Sequence, residues 1–187
     1  MTQKVALVTG AAAGIGAAIC RRFARDGMAV GVLDLKLDAA QKVADEIVAA
    51  GGKAVALAAD VSVRAEMEAA VDKLRDTFGA VTVLVNNAGI TGWVPFEQLD
   101  DAAWDRMMAI NLRGPFIATQ IVLPDMKDAK WGRVINISSS SAQSGTRWMA
   151  HYSASKGGVI ALTKTLALDL SPLGITVNNI PPASIAG

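Results

Sequence analysis

Thr9-Gly10-Ala11-Ala12-Ala13-Gly14-Ile15-Gly16 joins a β-branched run, Lys4 to Thr9, to a segment of helical periodicity, Ile15 to Asp26. Glycines at such a junction let the backbone turn sharply, let an anion approach with no Cβ in the way, and let the helix pack close to a sheet. The amides of the helix N-terminus then hold the anion. In this context the Gly-x-x-x-Gly-x-Gly spacing points to a pyrophosphate-binding turn. The plainer alternative is a tight structural turn between strand and helix.

Working outward, β-branched runs alternate with longer helical segments along the whole chain, the mark of βαβ units and a parallel sheet covered on both faces. Strands are expected at Lys4 to Thr9, Ala29 to Asp34, Ala54 to Ala58, Val81 to Asn86, Gly132 to Ser138 and Ile175 to Asn178. Helices are expected at Ile15 to Asp26, Ala39 to Ala50, Arg64 to Phe78, Asp101 to Lys127 and Tyr152 to Ser171. Gly27 and Gly51-Gly52 read as helix stops, and Asp38 and Ser62 stand where N-caps belong. Right-handed crossovers give an α/β, Rossmann-like, doubly wound sheet in a single domain spanning 1–187, with its ligand crevice at the carboxyl ends of the strands. The chemically distinctive residues fall there: Gly10, Asp34, Asp60, Asn86 to Gly89, and Ser138-Ser139.

Eighteen Lys and Arg face seventeen Asp and Glu, a net charge of +1, which provides no footprint for nucleic acid or an anionic membrane. A small-molecule partner is expected. The lone cysteine, Cys20, falls in a helix with no His or Cys cluster around it, so neither a disulfide nor a metal site is expected. Val5 to Cys20 is nearly uncharged and superficially resembles a secretory signal, but glycines at fixed offsets suit a phosphate turn better. No other window approaches the roughly 20 apolar residues of a membrane span. The expectation is a cytoplasmic protein.

Asp34 ends the second strand eighteen residues after Gly16. A carboxylate there can accept hydrogen bonds from both hydroxyls of an adenosine ribose and would repel a 2′-phosphate. With no Lys or Arg at Ala11, Ala12 or Ala13 to neutralise that phosphate, NAD is favoured over NADP. Lys36 reads as a solvated surface base. Asp60 and Val61 can offer a carboxylate and an amide to an adenine edge, or Asp60 can cap the loop before Ser62.

Tyr152 and Lys156 share a face of one predicted helix, four residues apart. An ammonium near a phenol favours the phenolate, which makes the pair a candidate acid/base. Spacing alone leaves a chance surface contact open. Ser139 lies thirteen residues earlier, at the end of the fifth strand, where its hydroxyl can reach a substrate oxygen. His151 adjoins Tyr152, but a helical neighbour points about 100° away. Trp93, Trp148 and Met149 lie on loops at the same end, as substrate contacts or as packing beneath a loop.

The glycine turn, Asn86-Asn87-Ala88-Gly89, Asn111 and Tyr152-Ser153-Ala154-Ser155-Lys156, in this order, resemble the short-chain dehydrogenase/reductase family across essentially the whole chain. The resemblance implies an active site of Asn111, Ser139, Tyr152 and Lys156. Ser139 would orient a carbonyl or hydroxyl oxygen and Tyr152 would exchange its proton. Lys156 would favour the phenolate and bind the nicotinamide ribose, and Asn111 would help hold a proton-relaying water. The implied cofactor contacts are Gly10, Ala13, Gly14, Ile15, Gly16, Asp34, Leu35, Asp60, Val61, Asn87, Ala88, Gly89, Tyr152, Lys156, Pro182 and Ile185. It further implies NAD-dependent interconversion of a secondary alcohol and a ketone by a homo-oligomer, tetramer or dimer. A 3-oxoacyl-thioester reductase and a catalytically inert NAD-binding fragment are the rival readings. Ala183 stands where the family usually has glycine, and the usual C-terminal substrate lid is expected to be absent after Gly187.

Overall fold

Strands of Val, Leu and Ala that are buried on both faces can only lie inside a sandwich of helices. The computed structural model describes residues 3–183 and shows that arrangement. The strands are β1 (Val5–Thr9), β2 (Ala29–Asp34), β3 (Lys53–Ala58), β4 (Val81–Asn86), β5 (Gly132–Ile137) and β6 (Ile175–Ile180). They form one six-stranded sheet in the order β3-β2-β1-β4-β5-β6, with every neighbouring pair parallel. The chain reverses its direction of travel across the sheet between β1 and β4, which opens the crevice expected of a doubly wound fold.

Seven helices complete the described chain: α1 (Gly14–Arg25), α2 (Leu37–Ala49), α3 (Arg64–Phe78), α4 (Asp101–Met108), α5 (Gly114–Asp128), α6 (Ser141–Ser144) and α7 (Ala150–Leu170). Alternate residues of each strand feed two cores. Val8, Val30, Val32 and Val85 meet Ala17 and Cys20 of α1 and Val43 and Ile47 of α2. Leu7, Leu33 and Leu84 meet Met67 and Leu74 of α3, Ile117 and Met126 of α5, and Leu170 of α7. Among the described residues no helix is long and apolar enough to cross a membrane.

Several boundaries differ from the sequence reading for local reasons. Asp38 lies within the first turn of α2, whose N-cap is Lys36, and Val63 rather than Ser62 caps α3; neither cap makes a side-chain bond. Ser62 instead donates its amide and hydroxyl to Asp60 Oδ1, at 2.8 and 2.7 Å. The helix expected over Asp101 to Lys127 is broken by a π turn, Ala109–Arg113. Such turns insert one residue into the helical ladder and recur at functional sites. Here the inserted turn holds Asn111, which is fully buried. Gly27 and Gly51 do end α1 and α2, at φ +85° and +83°.

A buried polar row lies beneath the crevice. Asn86 and Asn136 are register partners on β4 and β5, and Asn86 Nδ2 donates to Asn136 Oδ1 at 2.8 Å and to Thr119 Oγ1 at 3.3 Å. Asn136 Nδ2 donates onward to Thr163 Oγ1 at 2.8 Å, so four side chains tie α5, both strands and α7 into one unit. Removing one member leaves buried donors unpaired. We therefore expect Asn136→Ala to lower stability by about 1–3 kcal/mol in urea unfolding with an unchanged denaturant slope; a loss within error of zero would show that the row carries no load.

Candidate active site

The glycine turn is knotted to the end of β4. Thr9 Oγ1 donates to the Val85 carbonyl and accepts from the Asn87 and Ala88 amides at 3.1 and 3.0 Å. Asn87 Nδ2 returns to the Thr9 and Gly10 carbonyls at 3.0 and 2.9 Å. The Asn87 side chain thus holds the turn while Asn87 also lines the cavity that Ser139, Tyr152 and Lys156 border, and Thr9, the first residue of the turn, is the centre of the knot. Gly10 and Gly14 have φ of +60° and +53°, and a Cβ on Gly16 would strike the Gly10 carbonyl oxygen. These are the positions where only glycine fits.

The N-cap of α1, Ala13, offers no side-chain acceptor, so the first amides of that helix are presented to an outside anion. Asp34 Oδ2 accepts from the Ala12 amide at 3.1 Å, which places a carboxylate against the turn. A cavity of about 350 Å³ runs from there, lined by Gly10, Asp34, Leu35, Asp60, Val61, Ala88 and Gly89. Asp60 is partly committed: Oδ1 serves Ser62, and its amide donates to Glu66 Oε2 at 2.8 Å. Leu35 is exposed, whereas Val61 is buried.

A second cavity, about 320 Å³, shares Gly89 and Ile90 with the first and is lined by Ile15, Ser139, Tyr152, Lys156, Pro182 and Ala183. The chain's single tyrosine is in this group. Lys156 Nζ stands 5.9 Å from the Tyr152 ring centroid and donates to the Ile137 carbonyl at 2.9 Å, at the end of β5. Ser139 Oγ accepts from the Ser141 hydroxyl at 2.8 Å and keeps its own proton to donate. Its neighbour Ser138 is tied to β6 through the Ile180 carbonyl, which separates the two roles.

Asn111 enters from the opposite side. Its Oδ1 accepts from the Ile90 amide at 2.8 Å, and its Nδ2 donates to the Ile90 carbonyl at 2.9 Å and to Ser155 Oγ at 3.1 Å. Ser155 in turn donates to the Tyr152 carbonyl at 2.8 Å. Ser155 was visible within the Tyr152 to Lys156 stretch but had no assigned task; it couples Asn111 to the catalytic helix. A Cβ on Gly89 would lie 3.2 Å from Asn111 Oδ1 and 3.3 Å from Lys156 Nζ. The bare Gly89 backbone therefore leaves a cradle beside the ammonium. Together with the open α1 amides and Asp34, it gives a donor and acceptor set that fits a dinucleotide carrying a ribose at each end.

Residues 4–186 match the family of short chain dehydrogenases. The chain belongs to that family. It is similar to an uncharacterised oxidoreductase of Bacillus subtilis, 40% identical over 99% of this chain and 72% of the relative. A cyclohexanol dehydrogenase of an Acinetobacter strain is 41% identical over 98% of this chain and 73% of its own length. A 3-oxoacyl-[acyl-carrier-protein] reductase of a Synechocystis strain is 41% identical over the whole chain and 76% of the reductase. The protein is thus an oxidoreductase.

The remaining expected residues of this short-chain dehydrogenase fall in different places. Pro182 accepts from the Ser140 amide at 3.0 Å, holding the last described segment against the serine loop, and Ile185 lies outside the described residues. Ala183 does not adopt a left-handed conformation, so its methyl is tolerated where glycine is usual. His151 is buried with Nδ1 unpartnered and does not line the cavity. Trp148 is 48% exposed at φ +65°, a conformation that costs a bulky residue about 1–2 kcal/mol.

Burial pushes the Lys156 ammonium down from 10.5 to about 8. Between those values the unfolded chain holds the proton that the folded chain has lost, so folding gains stability as pH rises through that window. Below about pH 8 the penalty is fully present, about 3 kcal/mol at roughly 1.4 kcal/mol per pH unit. Lys156→Met should accordingly be more stable than the parent at pH 7, with the advantage shrinking to nothing by pH 10.5 in denaturant titrations. A constant difference across pH would contradict the buried charge.

Proposed function

We propose that this short-chain dehydrogenase interconverts a secondary alcohol and a ketone with NAD, using Ser139, Tyr152, Lys156 and Asn111. The observation that carries the reading is the convergence of Ser139, Tyr152 and Lys156 on one cavity that joins the glycine-turn cavity at Gly89. The nicotinamide, when bound, supplies the acceptor or donor for the hydride. Gly10, Ala13, Gly14, Ile15 and Gly16 would hold its pyrophosphate, Asp34 the adenosine ribose, and Lys156 with the Gly89 cradle the second ribose. Leu35, Asp60, Val61, Asn87, Ala88, Pro182 and Ile185 complete the proposed contact surface.

For alcohol oxidation, the Ser139 hydroxyl donates a hydrogen bond to the substrate oxygen and fixes it beside Tyr152. Tyr152 in its phenolate form accepts the hydroxyl proton as the carbonyl forms, and the Lys156 ammonium favours that phenolate by Coulomb attraction. Asn111, fixed by its side-chain bonds to Ile90 and Ser155, stands beside the Gly89 cradle and would help hold the water that relays protons between Lys156 and solvent. Reduction runs the same transfers backwards.

Asp34 favours NAD because its charge would meet a 2′-phosphate with no base among Ala11 to Ala13 to offset it. Relatives named for cyclohexanol and for a 3-oxoacyl carrier-protein thioester leave a 3-oxoacyl group as the second substrate reading. The apolar depression bounded by Met108, Leu112, Phe116 and Leu162 supports a homo-oligomer, dimer or tetramer. Burial pushes the Cys20 thiol up to about 12 and leaves it unreactive; a cytoplasmic location belongs to the same proposed reading.

Tyr152→Phe should lower kcat by about 10²–10⁴-fold while leaving NADH binding, read by fluorescence titration, within about twofold of the parent; unchanged turnover would remove Tyr152 from the chemistry. Asp34→Asn keeps an acceptor for the Ala12 amide but drops the charge. The ratio of kcat/KM for NAD over NADP should then fall by about tenfold or more; an unchanged ratio would show that the carboxylate does not select the cofactor.

A further inference from the structure

Trp148 occupies a backbone position that glycine would fill without strain. Its φ is +65°, yet 48% of it is exposed, so burial of the indole does not repay the conformation. The turn is nevertheless built around it. The Trp148 carbonyl accepts from the Val94 amide at 2.8 Å, which ties the loop after β4 to the loop before α7. Beside that tie the loop after β4 meets the first turn of α7: a Cβ on Gly92 would come within 3.2 Å of Nε2 of the buried His151. The Arg147 guanidinium lies over the Trp148 ring, 4.5 Å from its centroid. Among the described residues Arg147 has no carboxylate within ion-pair distance and no hydrogen-bond acceptor. Trp148 is four residues ahead of Tyr152, so indole and phenol stand at the same end of α7.

We propose that Trp148 and Arg147 form the wall of a substrate subsite that takes a planar ring bearing a negative charge, such as an aryl carboxylate, attached to the reacting alcohol or ketone. The ring stacks on the exposed indole, and the carboxylate meets the free edge of a guanidinium already ordered by its own stacking. A half-exposed indole four residues ahead of Tyr152 and an unpaired cation on top of it have one cause in such a ligand. A tryptophan retained for packing would be buried. The proposal rests on the reading of Tyr152 as the reacting group only for which bond is changed; the binding wall can be tested separately.

The test is calorimetry on the full chain with three ketones, 4-acetylbenzoate, acetophenone and 2-butanone, with and without oxidised NAD, which cannot reduce them. The expected order is 4-acetylbenzoate tightest and 2-butanone weakest. Trp148→Gly should weaken both aryl ketones at least tenfold, with Trp148→Phe restoring most of the loss, and Arg147→Gln should weaken 4-acetylbenzoate alone. Because glycine suits φ +65°, Trp148→Gly should melt no lower than the parent, and a lower melting temperature would assign the indole to packing and overturn the proposal. Equal affinities for the three ketones, or affinities untouched by both variants, would also overturn it. The same ketones are then offered with NADH: the predicted binding order without turnover would refute the proposed reaction and retain the wall, whereas turnover without the order would do the reverse.

Discussion

A lysine ammonium removed from water and bonded to one strand carbonyl is the constraint on which the site depends. Lys156 Nζ donates to the Ile137 carbonyl at 2.9 Å, and this single contact fixes α7 against the end of β5. Tyr152, one turn earlier on the helix, and Ser139, two residues beyond Ile137 in the chain, are thereby held relative to each other. The position of the charge has an energetic cost, seen in the lowered pKa of Lys156, and nothing in the fold alone requires it. In the proposed function, a buried cation beside the chain's one tyrosine gains its rationale from proton transfer.

The rest of the sheet makes that contact precise. Asn86 and Asn136, bridging Thr119 and Thr163, lock β4 and β5 to α5 and α7 directly under the cavity. Thr9 and Asn87 lock β1 to β4 at the place where the sheet reverses its winding. Two polar knots thus brace the crevice from beneath, with the Gly89 backbone bare at its floor. Asn111 closes the third side from the π turn, where its side chain bonds to Ile90 and Ser155.

Continuous apolar runs alternating with helical segments made the fold legible, because strands such as Val5–Thr9 and Val81–Asn86 are buried on both faces and leave little choice but a parallel sheet. The glycine turn, Asp34 and the Tyr152, Lys156 pair were legible as chemistry because each needs a particular residue type at a particular spacing. The π turn is hidden in the sequence: Asp101 to Lys127 has the periodicity of one helix, and the interruption falls where Asn111 bonds to Ile90 of a distant loop. Ser62 does not cap α3 because Asp60 captures its amide and hydroxyl, and Asp38 falls inside the first turn of α2 because that helix begins at Leu37. Trp148 gave no sign of strain, since a left-handed backbone at a tryptophan is set by the Val94 contact across the two loops.

Fold and family make this an oxidoreductase, and in the function proposed for it the chain's own side chains handle the proton and leave the hydride to a dinucleotide. The most direct measurement follows the hydride itself. A secondary alcohol deuterated at the carbinol carbon is incubated with NAD and the chain, and the reduced cofactor is examined by mass spectrometry or NMR. The account predicts that the deuterium appears in NADH with a slowed rate of transfer, and deuterium recovered in water, with none in the cofactor, would contradict it.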